Sequence, residues 1–501
     1  MAHAGDRTAL LSYQDDEESV GTTPAQVEAP VERNHPTKRQ FFSNVSRQVL
    51  NRRGLVCNTI ELGYQCNQEY AHLWGQYSPY SSLKSKSTIS PDVPPGCTIT
   101  FAQVLSRHGA RHPTAAKTKI YAELIDRIQK TSKSYKGDFK FLETFRYPLK
   151  SDEMTEFGDT QLFNSGVKFY RRYQNLAKGI KPFIRASGSP RVVKSAEKFI
   201  EGFHRSTVLD PEGAGKGTPP VVGVVIPEGP SSNNTLDHSI CETFEKDKSG
   251  KNMQTIFLKK FAPGTLQRVK SQLPMANITI DDIPYLMDLC SFHTVALTPD
   301  ASTISPFCRL FSSGEWIDYD YYQSLGKYYH YGPGNTLGRE QGIGFTNELI
   351  ARLTNTPVVD NTNTNRTLND NPATFPLNAT LYADFSHDNT MTSIYAAMGL
   401  FNRTNPLPVD RVQTPVQSDG YSAAWTVPFA ARAYIEKMKC EWSPRKDDEF
   451  VRVLLNDRVF PLYGCSVDAL GRCELKDWIK GLSYAVNGGK WESCFARNPA
   501  V

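Results

Sequence analysis

The chain has 501 residues, of which 39% are hydrophobic, 11% aromatic and 22% charged, and its formal net charge is +5. This is the balance of an ordinary globular protein with a large core. The weak basic excess fits an anionic substrate, but no long Lys/Arg block occurs, so we expect no nucleic-acid partner. No run of 18 or more apolar residues occurs either, so we expect neither a transmembrane helix nor a stable membrane association.

The chain begins with a predicted disordered tail at residues 1–56, where bulky apolar residues are few and Ser, Thr, Pro and Gln are frequent. The start of this tail, MAHAGDRTALLSYQDDEESV, has neither the basic beginning nor the apolar core of a signal peptide. Residues 57–496 have a globular pattern, and residues 497–501 form a short predicted C-terminal tail.

Cysteines and glycosylation sequons indicate an oxidising compartment. The ten cysteines are Cys57, Cys66, Cys97, Cys241, Cys290, Cys308, Cys440, Cys465, Cys473 and Cys494. Their even number and the lack of a C-x-x-C pair favour disulfides over a metal site. The six N-x-[ST] sequons begin at Asn44, Asn233, Asn277, Asn365, Asn378 and Asn402. We therefore expect an extracellular, secreted glycoprotein with no metal, although no signal peptide is visible.

Strand-like and helix-like segments alternate along the globular region. The strand candidates are TITFAQVL (98–105), KPFIRAS (181–187), VVGVVI (221–226) and LYADFS (381–386). In SPRVVKSAEKFIEGF four apolar residues repeat at helical spacing, namely Val192, Ala196, Phe199 and Phe203. A second helical stretch, AAKTKIYAELIDRIQK, follows the first strand. This alternation predicts an α/β fold with a largely parallel sheet.

The strongest chemical signal is RHGARHP at residues 107–113, which directly follows the first strand. Residues just past a parallel strand lie at the carboxyl edge of the sheet, where ligands bind. Arg107 and Arg111 can each place a planar fork on phosphate oxygens, and Gly109 lets the backbone pass close to a ligand. His108 is then next to the phosphorus and can attack it as a covalent nucleophile.

A second signal is SHDN at residues 386–389, which follows the strand LYADFS. His387 offers a further donor to the phosphate, and Asp388 offers a protonated carboxyl for the departing alkoxide at acid pH. Arg185, at the end of the strand FIRAS, is the candidate for a third cation. A lone His-Asp pair or arginine is more often a capping or surface group, so these residues gain weight only beside RHGARHP.

These motifs resemble the histidine acid phosphatases, which combine R-H-G-x-R-x-P with a distal H-D pair. Further stretches, among them LGYQCNQEYAHLWGQYSPY, YLMDLCSF and VDALGRC, resemble the secreted 3-phytases of filamentous fungi, over about residues 55–496. The resemblance implies a phosphoglycerate-mutase-like large α/β domain with a smaller α-helical domain. We expect the large domain at about 57–135 and 300–496, and the smaller one inserted at about 136–300.

The resemblance also implies roles for single residues. His108 would be the nucleophile and Asp388 the proton donor. The substrate-binding residues would be Arg107, Arg111, Thr114, Arg185, His387, Asn389, Lys117 and Lys327. The disulfides would be Cys57–Cys66, Cys97–Cys440, Cys241–Cys494, Cys290–Cys308 and Cys465–Cys473. Without the resemblance, about 945 pairings of ten cysteines stay open.

The implied function is hydrolysis of myo-inositol hexakisphosphate (phytate) at acid pH, through a phosphohistidine, by a monomer without a cofactor. Two alternatives stay open: a broad-specificity secreted acid phosphatase, and a non-catalytic secreted inositol-phosphate-binding protein of the same fold. Two positions depart from the phytase pattern. His112 stands where these enzymes often have Tyr, and Gly326 where some carry a second lysine beside Lys327, which weakens the case for tight phytate binding.

Overall fold

A computed structural model describes the chain at residues 56–212, 217–441, 443 and 448–495. Apart from Val56, the predicted N-terminal tail lies outside the described residues, and so do the sequon at Asn44 and the C-terminal tail at 497–501. Among the helices of the described ranges, none combines the length and the apolar character needed to cross a membrane.

The strands form one large sheet and one short hairpin. In chain order they are β1 (Asn58–Thr59), β2 (Gly63–Tyr64), β3 (Cys97–Arg107), β4 (Phe183–Ser187), β5 (Val224–Ile226), β6 (Leu381–Ser386), β7 (Arg432–Cys440), β8 (Phe450–Leu455), β9 (Arg458–Phe460) and β10 (Cys473–Glu474). The eight-stranded sheet has the order β10-β8-β7-β3-β6-β4-β5, with β9 beside β8, and β1 pairs with β2. Neighbours from β3 through β6 and β4 to β5 are parallel, whereas β7 to β10 pair antiparallel.

Helices cover both faces of this sheet. In chain order the α-helices are α1 (Gln68–Ala71), α2 (Ala115–Thr131), α3 (Glu156–Arg172), α4 (Gln174–Ala177), α5 (Pro190–Leu209), α6 (Glu242–Glu245), α7 (Ser249–Gln272), α8 (Asp282–Leu297), α9 (Ser313–His330), α10 (Ile343–Thr354), α11 (Arg366–Asn369), α12 (Asp388–Ala397), α13 (Ala423–Thr426), α14 (Leu475–Gly481) and α15 (Ser483–Val486). Short 3₁₀ helices span Gly75–Tyr77, Lys84–Lys86, Gly137–Glu143, Pro306–Leu310, Arg339–Gly342 and Trp491–Cys494.

Strand β3 is buried on both faces over residues 101–107, so apolar side chains can occupy successive positions along it. Val104 belongs to one apolar core together with Phe169 and Phe199 of α3 and α5. Its neighbour Leu105 belongs to the core on the opposite face, which includes Met391 of α12. Because successive strand residues point to opposite faces, one strand supplies both cores and is held rigidly between them.

The α/β fold and the four predicted strands are confirmed. The prediction of a largely parallel sheet is wrong, because β7 to β10 add antiparallel pairs and make the sheet mixed. LYADFS forms β6 over the predicted residues, and TITFAQVL lies within the longer strand β3. VVGVVI is a strand only from Val224, because Pro219 and Pro220 precede a Val221 that is 72% exposed. The predicted helices correspond to α2 and α5.

The segment expected to form the smaller helical domain, 136–300, contains elements of two kinds. It contains the long helices α7 and α8, but also the strands β4 and β5, which belong to the main sheet beside β6. Because parallel strands are joined by crossover connections, the chain enters the main sheet within this segment. The division into a large and a small domain stays a prediction.

All ten cysteines are paired, in the combination that the resemblance implied. The disulfides are Cys57–Cys66, Cys97–Cys440, Cys241–Cys494, Cys290–Cys308 and Cys465–Cys473. Cys97 and Cys440 are directly opposite each other in the ladder of β3 and β7. This bond therefore ties the first residue of the central strand to the last residue of its antiparallel neighbour, which lie 343 positions apart in the chain.

Candidate active site

The carboxyl ends of β3 and β6 bring the two sequence motifs together. Arg107 is the last residue of β3 and pairs in register with Ser386, the last residue of β6. His108 and His387 each follow by one position, and their rings lie 5.6 Å apart between centroids. Two neighbouring parallel strands must end at the same edge of the sheet, so their next residues share one crevice. RHGARHP and SHDN therefore lie next to each other at one edge of the sheet.

Arg107 is fully buried and held in a fixed orientation. Its Nη1 donates to the carbonyl oxygens of Gln76 and of Val427, the latter at 2.7 Å. Its guanidinium carbon lies 4.6 Å from the centre of the Phe429 ring. Nη2 lies 3.2 Å from Oδ2 of Asp388. The backbone contacts leave the charge of this arginine directed at the crevice, where an anion would be stabilised.

His108 has the tautomer that a nucleophile needs. Its Nδ1 donates to the carbonyl oxygen of Gly109 at 2.9 Å, and because a carbonyl only accepts, the proton must be on Nδ1. The lone pair of neutral imidazole is then on Nε2. Burial holds the pKa of His108 well below its ordinary value, and the charges of Arg107, Arg191 and Arg111 lower it further. This histidine therefore stays neutral in acid, which is the state that attacks phosphorus.

Asp388, at the start of α12, lies between two cations. Its Oδ2 is 2.8 Å from Nζ of Lys327 and 3.2 Å from Nη2 of Arg107. Burial alone would raise the pKa of this carboxyl, but Arg107 and Lys327 hold it well below its usual range. The substrate-free site thus contains an ionised Asp388, whereas the sequence predicts a protonated carboxyl at acid pH.

His387 is buried and forms a pair with Glu228, a residue that follows β5. Nε2 of His387 lies 2.8 Å from Oε1 of Glu228. The same carboxylate oxygen accepts from Oγ of Ser187 at 2.7 Å and from the backbone amide of Ser189 at 2.9 Å. Sequence patterns did not identify Glu228. The one signal that could have found it is its place just past a parallel strand.

A cleft beside these residues contains further predicted substrate contacts. Lys117, Lys327 and Asn389 line it, together with Lys251 and His330. Nζ of Lys327 donates to Oδ1 of Asn389. Nζ of Lys117 lies 3.6 Å from Oδ2 of Asp288. The wall contains three lysines and a histidine against one carboxylate, Asp288, and this excess of positive charge favours a ligand with several negative charges.

Two residues of the first motif and its neighbourhood, Arg111 and Thr114, are fixed by local structure. Nη1 of Arg111 donates to the carbonyl oxygen of His112 at 2.9 Å, and Oγ1 of Thr114 accepts the amide of Lys117 at 3.3 Å as the N-cap of α2. Their contacts with a substrate stay predictions.

Gly326 lies in the wall of the cleft, where a Cβ atom would come within 2.5 Å of Gln254.

Gly109 has a packing reason to be glycine, in addition to any approach of a ligand. A Cβ atom at this position would lie 2.5 Å from the carbonyl oxygen of Gly158 and 2.8 Å from a methyl group of Leu162. Both belong to α3, so the loop after β3 presses on this helix. The glycine in RHGARHP is therefore required by close contact between loop and helix.

Arg185 has a different setting from the one expected. It lies two residues before the end of β4, and its guanidinium binds Oδ1 of Asp384 and Oε2 of Glu348, each at 2.8 Å. Arg352 binds the other oxygen of Asp384 at 2.6 Å. These four buried side chains form a cluster of two arginines and two carboxylates, in which the charge of Arg185 is neutralised.

Arg191 is a cation that sequence reasoning missed. It is the second residue of α5, just past the carboxyl end of β4, and its charge lowers the pKa of His108 more than that of Arg111 does. Its Nη1 lies 3.9 Å from Oδ1 of Asp152. The signal that could have found it is the sequence Ser-Gly-Ser-Pro-Arg, in which the helix start marks where the strand has ended.

Known proteins resemble the chain in sequence over most of its length. The family model of the histidine phosphatase superfamily, branch 2, matches residues 98–456. Phytase A of Emericella nidulans is 54% identical over 455 residues, which are 91% of this chain and 97% of that protein. Phytase A of Aspergillus fumigatus is 54% identical over 440 residues, which are 88% of this chain and 94% of that protein.

Two solved structures share the fold. The phytase from D. castellii superposes with a TM-score of 0.67 at 24% identity, over 86% of this chain and 89% of that chain. The multiple inositol polyphosphate phosphatase of Bifidobacterium longum, in complex with inositol hexasulfate, gives a TM-score of 0.60 at 14% identity, over 82% of this chain and 97% of that chain. The matched family model and the two relatives agree with the motifs at the sheet edge, and the chain belongs to branch 2 of the histidine phosphatase superfamily.

Proposed function

We propose that the chain is a phytase, which removes phosphate from myo-inositol hexakisphosphate through a covalent phosphohistidine. The observation that carries this proposal is the state of His108: a neutral imidazole with its proton on Nδ1, surrounded by Arg107, Arg111 and Arg191. A nucleophile with a free lone pair among fixed cations is suited to attack a phosphate group. The high identity to two proteins named Phytase A supports the choice of substrate.

The reaction has two steps. Nε2 of His108 attacks the phosphorus, an N–P bond forms, and the P–O bond to the inositol breaks. The inositol oxygen leaves with a proton from Asp388. Water then attacks the phosphohistidine, its proton passes to Asp388, the N–P bond breaks, and inorganic phosphate is released. Both steps need the negative charge on the transferring oxygens to be stabilised, which is the role we assign to Arg107, Arg111 and His387.

Arg191 replaces Arg185 in this proposal as the third arginine. Arg185 is bound by two buried carboxylates, Asp384 and Glu348, which offset its charge. Arg191 is close enough to depress that pKa. A cation that destabilises a protonated His108 also stabilises an anion bound at the same place, since both effects are the same field.

The proton on Asp388 must arrive with the substrate, because the carboxyl is ionised in the free site. A phosphate group next to Arg107 and Lys327 competes with Asp388 for both cations and adds negative charge beside it. Each effect raises the pKa of the carboxyl. Asp388 then binds a proton in acid solution and can give it to the leaving inositol oxygen.

The remaining phosphates of the substrate would contact Lys117, Lys327 and the other cations of the cleft. Inositol hexakisphosphate carries phosphate on every ring carbon, so one phosphate at His108 places its neighbours within reach of this wall. Thr114 and Asn389 are proposed as further contacts at its edge. The cleft distinguishes the proposed phytase from a phosphatase that recognises only a single phosphate.

Comparing two substrates tests the proposal. The turnover of phytate and of p-nitrophenyl phosphate is measured at about pH 5, with and without a chelator. We expect the larger kcat/KM with phytate and no effect of the chelator. A larger kcat/KM with p-nitrophenyl phosphate would instead identify a broad-specificity acid phosphatase. Binding of phytate without release of phosphate would identify a binding protein.

We propose further that the protein is secreted, glycosylated and monomeric. The five disulfides are typical of proteins that fold in an oxidising compartment. Of the sequons in the described residues, Asn233, Asn277, Asn378 and Asn402 are exposed. Asn365 is half-buried, and its Oδ1 accepts the amide of Leu368 at 3.3 Å. Digestion with an N-glycosidase followed by mass measurement checks the glycosylation, and light scattering checks the monomer.

A further inference from the structure

The pair formed by Glu228 and His387 joins two elements at the edge of the sheet. Glu228 follows β5 and His387 follows β6, and the two are 159 positions apart in the chain. Oε1 of Glu228 accepts from Ser187 and Ser189, which flank the end of β4. The carboxylate is therefore fixed by hydrogen bonds to the strand that lies between β5 and β6 in the sheet.

This pairing determines which nitrogen of His387 can serve a phosphate. An ionised carboxylate only accepts hydrogen bonds, so Nε2 of His387 carries a proton at the 2.8 Å contact. Any bond to a phosphate must then come from Nδ1. Phosphate oxygens at the site also act as acceptors, so Nδ1 is useful only if it too carries a proton. A hydrogen bond from His387 to the phosphate therefore requires the doubly protonated imidazolium cation.

The surroundings of His387 would otherwise oppose this charge. The side chain is buried, which favours a neutral imidazole. His108 faces it from the end of β3, and the cations Arg107 and Arg191 lie near that histidine. Asp388, the next residue, directs its carboxylate at Arg107 and Lys327. On the side of Glu228, Asp237 accepts the amide of Gly229 at 3.2 Å.

Glu228 is the group that can balance this charge. Burial would raise the pKa of Glu228, but the charge of His387 and the hydrogen bonds from His387, Ser187 and Ser189 lower it to about 2. The hydrogen bonds from Ser187 and Ser189 do not depend on the charge of His387, and they favour the ionised carboxylate. An ion pair with an ionised partner favours the charged form of histidine.

We propose that Glu228 is a positioning residue that keeps His387 doubly protonated, so that Nδ1 donates a charge-assisted hydrogen bond to the phosphate at His108. The inference rests on the proposed phosphatase function. It adds the reason why the histidine of SHDN acts as a cation, and it assigns to the loop after β5 a part in phosphate binding.

The variant Glu228→Gln separates charge from orientation. Glutamine has the same size and its Oε1 can still accept from Nε2, but it has no negative charge. We expect His387 to lose its second proton at a lower pH in this variant. Inhibition by inorganic phosphate and kcat/KM on phytate are measured from pH 3 to pH 7. Both should match wild type at the acid end and be at least about tenfold weaker at the upper end, since a charge-assisted bond is lost there. Glu228→Asp keeps the negative charge, so it should keep most of the wild-type phosphate inhibition and kcat/KM at the upper end.

Glu245→Gln is a matched control. Oε1 of Glu245 lies 2.6 Å from Nδ1 of the buried His238, so this variant also removes the carboxylate partner of a histidine, outside the site. Its pH profile should be that of wild type. Two results for Glu228→Gln overturn the proposal: a profile identical to wild type, or a loss by the same factor at every pH, which would indicate orientation without an effect on charge.

A measurement on the wild-type protein covers the case in which the variant does not fold. In protein labelled with ¹⁵N-histidine at about pH 6, His387 should show two protonated ring nitrogens, with its signals assigned by their loss in His387→Gln. A singly protonated ring would contradict the proposal. Absence of phytate hydrolysis by wild type would reject the proposed function, while phosphate affinity and the ¹⁵N signals would still test Glu228.

Discussion

Lys327 and Asp388 form a buried ion pair, with Nζ of the lysine 2.8 Å from Oδ2 of the aspartate. Arg107 lies 3.2 Å from the same oxygen. The group proposed as the acid is therefore stored as an anion between two cations that are themselves suited to bind phosphate. A substrate that takes over these cations leaves the carboxyl beside a new negative charge, and this exchange couples substrate binding to the uptake of the proton that the reaction uses.

The first prediction concerns Asp388→Asn. An inositol alkoxide leaves poorly without a proton, whereas nitrophenolate leaves well unaided. General-acid catalysis typically contributes about 10²–10⁴-fold, so the variant should slow phytate cleavage at least about tenfold more than cleavage of p-nitrophenyl phosphate. Single-turnover phosphorylation of the enzyme measures both rates. Equal slowing of the two substrates would mean that Asp388 positions the phosphate and does not protonate the leaving group.

The second prediction separates two arginines that lie six positions apart. Arg191→Ala should lower kcat/KM about tenfold or more and raise the pKa of His108, because Arg191 lowers that pKa in the intact site. Because His108 must be neutral to attack, the acid limb of the pH profile of kcat/KM should move to higher pH. The fold should stay intact, as checked by thermal unfolding. Unchanged kinetics in this variant would remove Arg191 from the site.

Arg185→Ala should act on stability instead. Asp384 would keep only Arg352 as a cationic partner, and Glu348 would lose the guanidinium that binds it. Leaving a buried charge without its partner typically costs about 3–5 kcal/mol. The free energy of unfolding, from urea titration, should fall by about this amount. A stable Arg185→Ala protein with strongly reduced phosphate affinity would return Arg185 to the list of substrate contacts.

The third prediction concerns Asp320 in α9, which is buried and accepts from the amide of Gly75 at 3.1 Å and from Oγ of Ser422 at 3.3 Å. Burial raises its pKa from 3.8 to about 7 although both hydrogen bonds lower it. The folded protein thus keeps a proton that the unfolded chain releases above about pH 4. The corresponding stability is present below that pH and is lost as the pH rises through 7, up to about 4 kcal/mol.

Asp320→Asn should remove most of this pH dependence, because asparagine does not titrate. The free energy of unfolding is measured at intervals from pH 4 to pH 7.5 for wild type, for the variant and for the exposed control Asp410→Asn. The control should follow wild type, since the Asp410 side chain is 58% exposed. Parallel curves for wild type and Asp320→Asn would show that Asp320 is ionised in the folded protein throughout.

Sequence patterns predicted those parts of the site that are contiguous in the chain. Arg107 and His108 follow one strand, His387 and Asp388 follow another, and the rule that parallel strands end at one edge brings the two pairs together. The choice between Arg185 and Arg191 needed the position at which β4 ends. The strand continues to Ser187, which leaves Arg185 inside the sheet and places Arg191 beyond it, on α5.

Contacts between distant segments could not be read from the sequence. The pairing of Glu228 with His387 depends on the order of β5, β4 and β6 in the sheet, which no local pattern specifies. The ionised state of Asp388 depends on Lys327 from a helix 61 positions earlier in the chain. A motif identifies which groups are present, but their protonation depends on neighbours that only the folded chain supplies.

Trapping the covalent intermediate tests the central claim most directly. Wild-type protein is mixed with ³²P-labelled phytate, quenched within milliseconds under denaturing alkaline conditions that preserve phosphohistidine, and digested for peptide mapping. We predict label on the peptide that contains His108, lost on acid treatment, and no label in His108→Ala. Label on any other residue, or phytate turnover by His108→Ala at a rate near that of wild type, would contradict catalysis through a phosphohistidine at this position.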